Sequence, residues 1–578
     1  MEKYYVVVRI KKIIQKSIIL FIISAIIVVV YLPFILSGGF GPGDDLSVIQ
    51  ELKSNNWNFN YSFSFRESNG RFRPLGDLSN SLVFFFFKDN PQPFIVTQLL
   101  IWFSSIGLIF CTLKRSLGYL SSLIILLLSI FPIFASHVIF SPAYIPLTLS
   151  IFFWALSLII VNKYVVNKKL TYFLSAYLFL ALGLLTLPLI LPFLVVTALL
   201  PIQHEIDNKG FLPKTELYRL CLKYILPVFL VALSYLFIKV NVIKMLQGEG
   251  GLVYAASPLS FKSLFQSLYY FIAIFIEVPL MLVTVIPHLF KWRVFAASGL
   301  IIAFFVVLRK KILEKDQTSK ENKHSNEKLF ILIIIFSLIS CASIFLISVY
   351  PASTFGQYNR MMLPGFILLS IFLGWGFSKL LHTRWVVVPI SISILWVSSM
   401  IIQLDNFIKS WETRQYISTD IAKKLNNVDL GKDSILIANV PYFLKYNYNN
   451  ESVTAWTWSF AAGIRYAGAK SVTVWPVCYR IVMDPSFYPN HNILNNLSTI
   501  SDNANIWYYE YEEGNKKGIL QKLKNKKALL AKFEEIKIER INYHPIILRE
   551  KIRLAFKKLP LVLGIYERTL SNEINENI

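Results

Sequence analysis

Residues 1–403 alternate between long apolar blocks and short polar loops. The blocks approach the ~20 residues that an α-helix needs to cross a hydrocarbon core. Spans are expected near 17–36, 93–113, 120–135, 143–161, 171–186, 188–201, 224–243, 294–308, 329–349, 363–381 and 385–403. That makes about eleven crossings by the length criterion. Pro188 and Pro192 mark a tight turn between two packed spans, which membrane helices tolerate when neighbours satisfy the freed backbone groups. The run Ser81–Phe87 is too short to cross and belongs at the interface.

Residues 257–293 fit two readings, one further crossing or a broken interfacial hairpin around Glu277-Val278-Pro279. Charge decides between them. The segment 309–328 holds Arg309, Lys310, Lys311, Lys315, Lys320, Lys323 and Lys328, which the positive-inside rule places in the cytoplasm. The segment 257–293 therefore does not cross an odd number of times.

Beyond residue 403 the pattern changes. Residues 404–578 read as a small soluble α/β domain, with strands at 434–440, 471–477 and 506–511 and helices at 411–426 and 515–532. The fold class is thus mainly α: a polytopic helical membrane domain over 1–403 and a C-terminal α/β domain over 404–578. A long first loop, 37–92, lies on the same, non-cytoplasmic side as that domain.

Composition agrees with this picture. Of 578 residues, 55% are hydrophobic and only 16% charged, too apolar for a soluble protein of this length. The formal charge of +24 gathers in loops flanking the spans, as membrane topology requires. It lines no aromatic-interleaved groove, so nucleic acid is not expected as a partner. Basic residues before the first span, without a small-residue cleavage site, mark a retained signal anchor. Cys111, Cys221, Cys341 and Cys478 form no CxxC pair, so neither a disulfide framework nor a zinc site is expected.

The candidate chemistry lies in the loops. Asp44-Asp45 sits in the Gly-Pro-Gly turn after the first span. One Asp suits a helix cap, since Leu46 to Lys53 reads as helical. The other is then free to take a proton from a hydroxyl. Arg71 and Arg73 follow in the same loop, and Pro74 holds Arg73 extended, which puts both on one face. They suit phosphate oxygens, or pair with Glu67 and Asp77. Gln357-Tyr358-Asn359-Arg360 lies in a later outer loop, where an arginine runs against the positive-inside bias. Arg360 either holds a phosphate or snorkels to head groups. His137, in Ser136-His137-Val138, is a candidate substrate-binding group. Trp456, Trp458 and Trp475 suit sugar stacking or the core of the C-terminal domain.

A signal anchor, an acidic pair opening the first outer loop, many spans and a soluble C-terminal domain together resemble the GT-C superfamily of membrane glycosyltransferases. Gly43-Asp44-Asp45-Leu46 and Arg71-Phe72-Arg73-Pro74-Leu75 look like the acidic and Arg-Pro elements of that loop. Asn359-Arg360-Met361-Met362-Leu363-Pro364 is similar to the late Arg-containing loop of bacterial members. No Trp-Trp-Asp sequence occurs, unlike in oligosaccharyltransferases.

The resemblance implies an inverting transfer of a sugar, glucose-type by its pattern, from a polyprenyl-phosphate carrier to a lipid-linked or cell-surface glycan such as O-antigen. It implies Asp44 or Asp45 as base, a carrier phosphate held by Arg360 with Arg71 or Arg73, and a place in the bacterial inner membrane. Metal dependence is left open, because only some members use a divalent ion. The alternatives are a polysaccharide polymerase or ligase, or a flippase. A flippase fits less well, since transporters place ionisable groups inside their spans.

Overall fold

The structure, a computed structural model, describes residues 2–41, 45–54, 73–209, 213–247, 261–283, 285–316, 324–347, 357–431, 433–441, 457–470, 472–477, 493–501, 504–512 and 516–538. Asp44, Arg71, Trp456 and Cys478 lie outside these residues. In chain order the first helices are α1 (Glu2–Ser37), α2 (Asp45–Ser54), α3 (Pro74–Phe87), α4 (Pro91–Ile130), α5 (His137–Phe140), α6 (Ile145–Asn167), α7 (Leu170–Thr186), α8 (Phe193–Lys209) and α9 (Lys214–Gln247). They continue as α10 (Phe261–Ile272), α11 (Val278–Val283), α12 (Trp292–Asp316), α13 (His324–Ser340), α14 (Ile344–Ile347), α15 (Leu363–Leu380), α16 (Val387–Asn426), α17 (Thr457–Tyr466) and α18 (Lys526–Ile538). The chain divides into two compact units. Unit 1 comprises Met1–Ser37, Phe59–Ile139 and Tyr144–Leu404; unit 2 comprises Gly38–Asn58, Phe140–Ala143 and Asp405–Ile578.

Unit 1 is helical. Among the described residues of the chain, eight helical stretches are long and apolar enough to cross a membrane. Every span expected from the sequence has its helix. The expected pair 93–113 and 120–135 forms the two arms of α4, bent at Gly118, whose φ of 79° an L side chain rarely adopts. Three expected spans form helices of 17 residues each, α7, α8 and α13. The expected short interfacial run extends to the 14 residues of α3, still too short to cross, with Phe85 and Phe86 exposed.

Ser267–His288 also has the length and composition of a span, but its surroundings argue against a single crossing. Lys168 and Tyr224 Oη both donate to the Glu205 carboxylate, the latter at 2.9 Å. This ties the start of α9 to the ends of α6 and α8. Ser116, beside the α4 bend, bonds His204 at 2.9 Å and so lies at the same end. α9 therefore leads away from that end. Tyr31 in the last third of α1 meets Phe103 edge-on, many residues up α4 from the bend. Arg293, at the start of α12, bonds Val29 and Val30 in that same part of α1. α12 thus begins at the end toward which α9 runs. The stretch between them starts and finishes on one side, broken by a π-turn at Ala273–Glu277 where Tyr269 donates to the buried Glu277.

Two local devices explain close packing in unit 1. Pro33 lies inside α1 and has no N–H, which strips the Val29 carbonyl of its helical partner. Arg293 Nε donates to that oxygen at 3.2 Å, and its Nη2 to Val30 at 2.8 Å. A buried guanidinium so replaces the missing amide. Gly374 of α15 abuts α4: a Cβ there would sit 2.4 Å from Ile125 Cγ1 and 2.9 Å from its backbone nitrogen. Membrane helices approach this closely through small residues, since apolar side chains gain nothing by leaving lipid.

Unit 2 holds a four-stranded sheet of order β2-β1-β3-β4: β1 (Ser434–Asn439), β2 (Thr473–Val477), β3 (Asn505–Glu512) and β4 (Lys517–Leu523). β1 pairs in parallel with β2 and β3, and β4 runs antiparallel to β3. Alternation along the strands separates two cores. Leu436, Ala438, Trp507 and Tyr509 pack with Ile417, Ile421 and Leu425 of α16 and with Phe460 and Ile464 of α17. Ile437, Ile506 and Tyr508 pack on the other face with Leu529, Phe533 and Ile536 of α18, and Trp475 packs against the same group.

The expected helix at 515–532 needs correction. Its first half is the edge strand β4, entered through Lys516 at φ 48°, and the helix starts only at Lys526. The expected break between 403 and 411 is absent as well, because α16 runs unbroken from Val387 to Asn426.

Candidate functional site

The segment 131–142 is buried throughout although little of it is regular structure. Backbone polar groups in such a place need partners, and side chains supply them. In unit 1 the Ile130 carbonyl accepts from Tyr31 Oη at 2.7 Å and Trp102 Nε1 at 3.2 Å. Trp396 Nε1 donates to Phe131 at 3.0 Å, Gln403 Nε2 to Ile133 at 2.7 Å, and Gln98 to Val138. These bonds fix the loop that carries His137.

Arg360 lies in the 3-10 turn Gln357–Met362 that leads into α15. The neighbouring Asn359 is only 2% exposed. Its Oδ1 accepts the His137 amide at 3.1 Å and its Nδ2 donates to Ser136 Oγ at 3.0 Å. The two loops are thereby pinned together, and the Arg360 guanidinium lies over the Tyr144 ring, 4.6 Å from its centroid. The nearby His137 contributes its backbone to the junction, and its side chain is buried.

Arg73 has another task. It precedes α3 with φ −146° and ψ 61°, outside the helical region as Pro74 requires, and its Nε donates to Asp77 at 2.9 Å. Gly76, in the first turn of α3, would place a Cβ 2.5 Å from the Thr186 carbonyl, so only glycine allows this contact with the end of α7.

In unit 2, Asp45 begins α2 and is completely buried. Its Oδ2 accepts the Gly41 amide at 2.6 Å; its Oδ1 accepts Ser141 Oγ at 2.7 Å and the Ala143 amide at 2.9 Å. These bonds run back to the preceding turn and across to residues 141–143, not to the first amides of α2 as a cap's would. Burial pushes the Asp45 carboxyl up to about 6, against the pull of Ser141, Ala143, Gly41 and the charge of Arg414.

Arg414, 3% exposed, grips the same turn from α16. It donates from Nη1 to the Gly41 carbonyl at 2.8 Å and from Nη2 to that of Phe40, and its guanidinium lies 5.0 Å from the Trp411 ring centroid. The glycines here are required by close approach. A Cβ on Gly39 would fall 2.0 Å from Trp411 Cε2, and one on Gly41 would fall 2.9 Å from Ser141 Cβ.

The sequence candidates thus separate. Arg360 and His137 share a junction in unit 1, and Arg73 is paired with Asp77. Asp45 is enclosed in unit 2, while Asp44 and Arg71 lie outside the described residues. Sequence reasoning missed Arg414, Ser141, Tyr144 and the bridging role of Asn359. A polar Ser141-Pro142-Ala143-Tyr144 break between apolar blocks was the one available signal for two of them. Among the described residues, no three His, Cys, Asp or Glu side chains gather as a metal site.

No protein-family model matches the chain, and no curated protein does. Among solved structures it is similar to ArnT from Cupriavidus metallidurans bound to undecaprenyl phosphate, at 12% identity over 86% of this chain and 93% of that one, with a TM-score of 0.36. The apo form of the same protein gives 11% identity over 86% and 94%, again with a TM-score of 0.36. A likeness this faint says nothing of what the chain binds or does.

Proposed function

We propose that the chain is an inverting membrane glycosyltransferase of the GT-C type. It moves a sugar, glucose-type by the sequence pattern, from a polyprenyl-phosphate carrier to a lipid-linked or cell-surface glycan. The observation that carries this reading is the Arg360–Tyr144 stack, pinned through Asn359 at the start of an apolar helix. A fixed cation beside a membrane helix end suits a phosphate whose lipid tail lies in the bilayer. The acidic turn after the first span supplies the second ingredient.

Asp44 is the base in this proposal, because the neighbouring Asp45 is enclosed by its three donors. Asp44 takes the proton of an acceptor hydroxyl as that oxygen attacks the anomeric carbon. The bond from that carbon to the phosphate oxygen breaks, and its electron pair stays on the carrier phosphate. Arg360 stabilises this charge, so the leaving group needs no proton from an acid. Arg71 is the second candidate cation, since Arg73 is engaged with Asp77. The membrane orients donor and acceptor, which lowers the entropic cost of their encounter. In this reading the site faces the extracytoplasmic side of a bacterial inner membrane.

The test is transfer by purified protein in vesicles supplied with a polyprenyl-phosphate hexose and acceptor glycan. Asp44→Asn should lose transfer while still binding donor, and Arg360→Ala should raise the donor KM. Full activity in both variants overturns the assignment.

A further inference from the structure

We infer that the end of unit 1 where α6, α7, α8 and α9 meet binds the head group of an anionic phospholipid, with Lys223 and Lys168 on its phosphate. The site is separate from the transfer chemistry and stands whether or not the chain moves a sugar. Lys223 is half-buried and lies nine residues into α9. Its ammonium is 4.9 Å from the Tyr164 ring centroid and 5.3 Å from that of Tyr224. Lys168, just past the end of α6, lies 5.9 Å from the same Tyr164 ring and donates to Glu205, which Tyr224 also bonds. Two ammonium groups thus share one ring, with the buried Glu205 carboxylate beside them.

Charge and hydropathy together identify the ligand. Within this cluster two ammonium groups and one carboxylate leave one positive charge, which matches the single negative charge of a phosphodiester. Membrane topology asks only that cations stay in the loops. A lysine inside an apolar helix, set against two rings, goes beyond that demand, and basic pockets between membrane helices suit anionic head groups. Below the cations runs an apolar row. Arg219, Lys223, Leu226, Leu230, Leu233 and Phe237 recur four and three apart, which lines them along one flank of α9. Arg219 and the four apolar residues are exposed. Leu226 to Phe237 covers about 16 Å at 1.5 Å per residue, the depth of one leaflet in a hydrocarbon core ~30 Å thick. Cations at the head of an apolar row one leaflet deep fit an amphiphile and not a free phosphate.

Native mass spectrometry of the full-length protein, with phosphatidylglycerol, phosphatidylcholine, a polyprenyl phosphate and soluble glycerol phosphate titrated in turn, tests the inference. Expected is saturable retention of phosphatidylglycerol, with phosphatidylcholine and glycerol phosphate released. Lys223→Gln should weaken that retention about fivefold, the effect of one basic residue near an anionic lipid surface. Lys223→Arg should keep most of it, and Lys310→Gln, which alters an exposed lysine of α12, should leave it unchanged. Wild-type retention in Lys223→Gln overturns the inference, as does an equal loss in Lys310→Gln. Equal retention of phosphatidylcholine, binding of glycerol phosphate alone, or preference for the polyprenyl phosphate also overturns it. If Lys223→Gln fails to fold, Arg219→Gln on the same exposed flank takes its place, and unweakened retention there is the refuting result.

Discussion

Replacing Ser141 with alanine asks whether the state of Asp45 limits the reaction at low pH. The change deletes one hydroxyl, 2.7 Å from Oδ1, and leaves the Ala143 amide on the same oxygen. A hydrogen bond to a buried charged group contributes about 1.5–3 kcal/mol. At about 1.4 kcal/mol per pH unit, its loss raises the carboxyl pKa by roughly 1–2. Wild-type Asp45 is already pushed from 3.8 to about 6. Protonation would place a hydrogen against three donors and loosen the turn, so transfer should fade as pH drops through about 6. In Ser141→Ala the same fall should come at about 7–8.

Stability should move the opposite way. Because the folded pKa lies above the unfolded one, the contribution of Asp45 is complete below 3.8 and is lost as pH rises through about 6. Its full size is about 3 kcal/mol, the free energy that corresponds to moving a carboxyl from 3.8 to about 6. The assay is kcat/KM in vesicles from pH 5 to 9, with unfolding in detergent at each pH, for wild type, Ser141→Ala and Asp45→Asn. An acid limb in Ser141→Ala that superimposes on the wild type, alongside a lowered melting temperature, refutes the link between Asp45 and catalysis. An acid limb set by Asp44 alone behaves in that way.

Three further outcomes are expected. Arg293→Met should destabilise by about 1–3 kcal/mol by leaving the Val29 carbonyl bare; adding Pro33→Ala restores an amide for it, so the double variant should cost less than the sum, and strict additivity in a double-mutant cycle argues against the replacement. Gly374→Val should lower the melting temperature strongly, because Ile125 Cγ1 and the Ile125 backbone nitrogen both lie within 3 Å of the added Cβ; a melting temperature equal to wild type speaks against the close contact of α15 and α4. Asn359→Ala should raise the donor KM toward that of Arg360→Ala by releasing the 3-10 turn, and a wild-type KM removes Asn359 from that role.

The helices were legible because a hydrocarbon solvent leaves few choices: apolar length names a span, and Gly118 or a proline names its bend. For 257–293 the charge of 309–328 was the one guide the sequence offered, because apolar length alone fits a crossing there. The errors lie where the environment changes from lipid to water. At residue 404 hydropathy falls, which suggests the end of a helix, but 403–411 contains neither glycine nor proline. Nothing there stops a helix, and α16 continues to a length of about 60 Å at 1.5 Å per residue, twice what a membrane needs. The opposite holds at β4. Ile519 and Leu523 stand four apart and imitate a helical face, whereas pairing with β3 makes the segment an edge strand protected by Lys517 and Lys522.

The site was legible only in its local half. The acidic pair in its glycine turn and Arg360 in its outer loop are short-range signals, visible because each breaks a rule of its surroundings. What those residues do depends on partners 96 residues away for Ser141, 222 for the Asn359–His137 bond and 373 for Arg414. Two adjacent carboxylates read alike in a sequence, and the first-order guess shares one role between them. Enclosure of Asp45 by one hydroxyl, two amides and a nearby guanidinium breaks that symmetry. A carboxylate so occupied is already engaged on both of its oxygens. The arginines differ in the same way: Arg73 donates to Asp77, and the Arg360 guanidinium lies over the Tyr144 ring. What each charged side chain can still do thus follows from what the fold has already done with it.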